Sequence, residues 1–81
     1  MSVRTEILDQ FKQVAHEQEK RLGPLSDELP LADTGLDSLC FAIIVSRLET
    51  VLGADPFSEN EGAPYPVNVG EFVRLYENAM D

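Results

Sequence analysis

One hydroxyl in this chain stands where chemistry can be done on it. Ser38 lies in the stretch Gly35-Leu36-Asp37-Ser38-Leu39, at the mouth of a strongly apolar segment with helical character. Asp37 can sit just outside that helix and accept hydrogen bonds from the free N–H groups of its first turn, which puts Ser38 at the first helical position. An anion carried on the Ser38 oxygen would then lie against the positive end of the helix dipole, where a phosphate group is favoured. The chemistry read here is covalent: a serine phosphodiester, with Ser38 as the attachment point. The structural alternative is a helix cap with an ordinary serine beside it, since Asp-Ser pairs start many helices.

The other reactive side chains lack companions. His16 is the only histidine and falls on a different predicted helix, with no neighbouring cysteine or histidine to ligate a metal, so it is assigned no role. Cys40 is the single cysteine, which excludes an internal disulfide and fits a reducing compartment. It is read as a small apolar residue near the edge of the exposed helix face. Asp27, Glu28 and Asp33 do not have the spacing of a calcium-binding loop and read as a solvated loop face. No metal site is expected.

Several elements must position Ser38. Val3, Ile7, Leu8, Phe11, Val14, Ala15 and Leu22 recur at helical spacing and predict one amphipathic helix over Val3 to Leu22, ended by Gly23-Pro24. A loop follows to Asp37. Its leucines at 25, 29, 31 and 36 are too many for a solvated linker, so some must pack on the core.

The second helix, Ser38 to Leu52, is apolar on all sides over Leu39 to Val45. At about 100° per residue, Phe41, Ile44, Val45, Leu48, Val51 and Leu52 form a broad core face, with Leu39, Ala42, Ile43 and Ser46 opposite. A domain this small has little material to cover both faces, so the second set is read as a docking surface for a partner; the structural alternative is that the Leu25 to Leu36 loop folds over Leu39, Ala42 and Ile43 and buries them in whole or in part. Gly53 and Pro56 close the helix, and the following segment has room for one short turn near Phe57 to Glu61. Asn68, with Glu71 three positions on, gives a capping-box signature for a last helix with the stripe Val69, Phe72, Val73, Tyr76 and Met80. The fold class is all-α: one domain over residues 1–81, three main helices with room for a short fourth between the second and the last.

Eighty-one residues allow one modest core but no core plus a deep enclosed active site. The net charge of −9 argues against nucleic acid and anionic membranes as partners. The charge is uneven: residues 1–21 hold four basic and four acidic side chains, residues 22–81 two basic and eleven acidic. Partners of the part carrying Ser38 should therefore be basic. No secretory signal and no apolar run of membrane-spanning length is visible, which makes a cytoplasmic location the expectation. Nothing asks for more than a monomer.

With Gly35-Leu36-Asp37-Ser38-Leu39 opening the second helix of a small acidic helical domain, the chain resembles the acyl carrier and peptidyl carrier proteins over nearly its whole length. The resemblance implies an acyl-carrier-type four-helix bundle. It implies that Ser38, flanked by Asp37 and Leu39, carries 4′-phosphopantetheine, transferred from coenzyme A by a separate phosphopantetheinyl transferase. The domain would then be no enzyme. It would hold an acyl or aminoacyl cargo as a thioester and present it to a loading ligase or synthase.

The sequence departs from that pattern in one respect. Carriers of fatty-acid synthesis typically stud the second helix with acidic residues, whereas here only Glu49 lies on it after Asp37, and Arg47 adds a positive charge. This points to a specialised stand-alone carrier, served by an adenylating ligase with an amino acid or an unusual acid. Two alternatives come from other classes. Gly-x-Asp-Ser-Leu superficially resembles the motif of the lipases and esterases named for a Gly-Asp-Ser-Leu box, but a serine nucleophile needs a base oriented by a third group, and His16 has none. The other is an unmodified acidic interaction domain that uses the second helix without any prosthetic group.

Overall fold

The computed structural model describes residues 2–59 and 65–80. Helix α1 spans Val3–Glu17. Ser2 caps it, its Oγ accepting the backbone N–H of Thr5 at 3.1 Å. Ile7, Phe11, Val14 and Ala15 are buried along the expected stripe, joined by Gln10.

The helix stops five residues before the expected end at Leu22. The Glu19 N–H donates to the His16 carbonyl at 3.2 Å and the Lys20 N–H to that of Ala15 at 2.8 Å, a Schellman closure. Glu19 supplies the left-handed residue, at φ 55°, in place of the glycine that usually does so. The physical reason lies in the stripe: after Ala15 the next two turn positions are Gln18 and Glu19, which offer the core nothing. Leu22 still reaches the core, but from the loop.

That loop is ordered by its own hydrogen bonds. Gly23 N–H donates to the Thr34 carbonyl at 3.0 Å, Leu31 N–H to Val67 at 2.9 Å and Val69 N–H to Leu29 at 3.0 Å. Thr34 is fully buried; its hydroxyl donates to the Leu31 carbonyl at 2.7 Å and accepts from Leu36 N–H at 3.3 Å, so no polar atom of the side chain is stranded. Leu25, Leu29 and Leu31 pack against the core and Leu36 is buried in it. A short 3-10 turn covers Leu31–Asp33, and the bridge Pro30–Asn68 is the one β-type pairing among the described residues.

Helix α2 spans Ser38–Leu52 and closes on Gly53, whose N–H donates to the Glu49 carbonyl at 2.8 Å and whose left-handed φ of 71° then turns the chain out of the helix. The one-turn α3 covers Pro56–Glu59, overlapping the turn expected over 57–61; residues 60–64 lie outside the described residues. Helix α4 spans Val69–Met80. Asn68 Oδ1 accepts Glu71 N–H at 2.8 Å, while Glu71 Oε1 reaches back to the N–H of Val67 at 3.1 Å, one residue before the cap. Val69, Phe72, Val73 and Tyr76 are buried, but Met80 is 45% exposed at the helix end.

The stripes of α1, α2 and α4 meet in one core, in which the Phe11 ring sits edge-on to Phe72 at 5.4 Å and to Phe41 at 5.8 Å. The architecture is an all-α small helical bundle, with no strand among the described residues. No helix of the described residues is long and apolar enough to cross a membrane.

Candidate functional site

Asp37 takes extended backbone angles, φ −95° and ψ −179°, and caps α2 by accepting the Cys40 N–H on Oδ1 at 2.9 Å. Its Oδ2 lies 3.4 Å from Lys20 Nζ. The Cys40 backbone N–H, then the Cys40 thiol and Lys20, hold the Asp37 carboxyl below its ordinary pKa. Ser38 follows as the first helical residue, and its side chain is exposed.

Gly35 explains how Lys20 comes to stand beside Asp37. It adopts φ 93°, and a Cβ at this position would overlap the Arg21 carbonyl oxygen, so only glycine lets the chain before Ser38 pack on the chain leaving α1.

From Ser38 a groove of about 660 Å³ runs along α2. Ser38, Phe41, Ala42, Val45, Ser46 and Glu49 form one wall, recurring every three or four residues as a single stripe. Leu31, Phe57, Tyr65, Pro66 and Phe72 form the other, with Tyr65 stacked on Phe57 at 5.9 Å between ring centres. The stripe was present in the sequence as this spacing, but a division of α2 into only two faces hides it.

The four residues expected to form one docking face therefore separate. Leu39 is 62% exposed. Ala42 and Ser46 are exposed and line the groove. Ile43 is half-buried and packs against the core. Cys40, expected near the exposed edge, is buried: it stands one turn before Ile44 and two before Leu48, and this ladder is the centre of the α2 core face. Val51, expected in the core, is 50% exposed, because helical phase gives a direction and burial also requires a neighbour at that height. Phe41, Val45 and Leu52 are half-buried against the core as their phase requires.

Several charges around the site are tied in pairs. Arg47 donates to both carboxylate oxygens of Glu17, to Oε2 at 2.8 Å, and each partner stabilises the charged form of the other, lowering the Glu17 pKa and raising that of Arg47. Asp27, in the acidic loop face, is paired with Arg4 at 2.6 Å, which lowers its pKa; Glu28 and Asp33 are exposed. His16 is exposed on α1. No group of three His, Cys, Asp or Glu among the described residues is placed to hold a metal ion. Neither the protein-family models, nor the curated proteins, nor the solved structures compared with the chain give a match.

Proposed function

We propose that the chain is an acyl or aminoacyl carrier protein, modified on Ser38 with 4′-phosphopantetheine and acting in the cytoplasm as a monomeric, non-catalytic shuttle. The observation that carries this reading is the position of Ser38: an exposed hydroxyl on the first residue of α2, directly behind the Asp37 cap and at one end of an apolar groove. The residues present fit such a group. The hydroxyl is open to a transferase, and the adjoining Asp37 charge is compensated by the Cys40 N–H and by Lys20, so it opposes a phosphodiester less than a free carboxylate would. When bound, the group supplies a thiol on which cargo is held as a thioester. The chain's own residues supply an address: Asp37 fixes the start of α2, and Leu39 presents an exposed apolar side chain one residue after the attachment point.

The loading enzyme is proposed to be a separate ligase or synthase, and the neutral pairs at Arg47 and Lys20 favour a specialised partner over the strongly basic surfaces that read an acidic helix. Incubation with coenzyme A and a broad-specificity phosphopantetheinyl transferase tests the attachment: label from coenzyme A enters the wild type and not Ser38→Ala. The exposed Leu39 also fits an acidic interaction domain that needs no prosthetic group. A partner bound equally by the wild type and Ser38→Ala, with Ser38 never modified, would favour that second reading.

A further inference from the structure

The groove beside α2 is mostly apolar, Ser38 and Ser46 being the polar uncharged residues on its α2 wall, and carries a charge at one end only. Glu49, three helical turns from Ser38, is the one charged residue that lines it. It is also the only acid within α2, and no ion pair among the described residues engages it; the neighbouring base, Arg47, is committed to Glu17. Residues 60–64 contain no lysine or arginine. Behind the Phe57 and Phe72 wall, the fully buried Tyr76 hydroxyl has no hydrogen-bond partner among the described residues, and its pKa is raised by burial first and then by the charges of Asp55 and Glu49. The far end of the groove therefore carries the exposed Glu49 carboxylate, which no ion pair among the described residues engages. A two-turn stretch of wall, from Glu49 back to Ala42, spans roughly 10 Å, with Ser46 as its one polar residue in between.

We propose that this groove takes an aliphatic chain ending in a protonated amine, with its methylenes on Phe41, Val45, Phe57 and Phe72 and its ammonium against the Glu49 carboxylate. Charge complementarity selects this occupant: a plain alkyl end leaves Glu49 unanswered, and a carboxylate end is repelled by it. The inference rests on the carrier reading in one respect, that the occupant is then the cargo. Its class becomes an amino-acid-derived acyl group with the amine at the end remote from the thioester.

The test uses the unmodified chain and three free probes of equal length, hexylammonium, hexanol and hexanoate, titrated at low salt while NMR shifts are followed at Val45, Phe57 and Phe72. The expected order of affinity is amine, alcohol, acid, with the amine preferred over the alcohol by about threefold, as befits a partly exposed ion pair. Glu49→Gln should bring that ratio to near one. Glu28→Gln removes the same charge from an exposed loop position that does not line the groove, and should leave the ratio unchanged. Equal binding of amine and alcohol, an equal loss of preference in both variants, or no shifts at the groove residues each overturns the proposal. Because no probe depends on Ser38, a chain that cannot be modified but still prefers the amine would sink the carrier reading and leave the groove's selectivity standing.

Discussion

Asp37 Oδ1 accepts the backbone N–H of Cys40 at 2.9 Å, and this one bond fixes where α2 begins and hence which residue stands first on it. The cap sets the helical phase of Ser38 and Cys40, and the neighbouring elements then leave the first exposed and bury the second. Asp37→Ala should therefore lower the melting temperature and slow modification of Ser38, because the first turn loses its side-chain acceptor. The Asp37 pKa is depressed in the folded state, so its contribution is complete above the ordinary aspartate pKa of about 3.9 and fades as pH falls through and below that value. Thermal melts of both proteins from neutral to acid pH check this: the gap between them should narrow in acid.

Tyr76 gives a prediction of the opposite sign. Its buried hydroxyl lacks a partner among the described residues, so Tyr76→Phe should leave stability unchanged or raise it by up to about 1 kcal/mol. The folded-state pKa of Tyr76 is raised, so its neutral form contributes fully below the unfolded value of about 10, and that contribution is lost as pH rises further. Denaturant unfolding followed above that pH should show a steeper loss for the wild type than for Tyr76→Phe.

Glu19 occupies a left-handed position that a β-carbon disfavours. Glu19→Gly should stabilise the domain by about 1 kcal/mol, measured by urea unfolding, since the strain removed exceeds the added freedom of the unfolded chain. A neutral or destabilising result would mean that the Glu19 side chain contributes to the turn.

Leu39 and Ile43 separate docking from folding. Leu39→Glu places a charge on an exposed side chain and should shift stability by no more than about 0.5 kcal/mol while weakening recognition by the transferase or loading enzyme. Ile43→Glu drives a charge towards the core and should cost about 2 kcal/mol or more. Melting curves beside loading rates distinguish the two.

How much of this was legible follows from what each signal reports. The cap at Asp37, the cap at Asn68 and the glycine stop at Gly53 are local hydrogen-bonding devices, written in adjacent residues, and the structure has all three. The end of α1 was misplaced because Gly23-Pro24 is a strong breaker, whereas the true stop uses a glutamate in a conformation that its residue type does not announce. Ile43, Cys40 and Val51 were misassigned for a tertiary reason. Phase within α2 orders its residues around the helix, but only the placement of the leucine-rich loop, α1 and α4 decides which directions are covered. The groove depends on the second wall, from Leu31, Phe57, Tyr65 and Phe72, which no spacing within α2 encodes.

The central claim is that Ser38 is a covalent attachment point, and intact mass after incubation with coenzyme A and a broad-specificity phosphopantetheinyl transferase tests it most directly. The account predicts a gain of one phosphopantetheine group on the wild type, localised by peptide mapping to Ser38, and none on a folded Ser38→Ala control. A folded wild type that gains nothing with several transferases, or gains the same mass as Ser38→Ala, would contradict it.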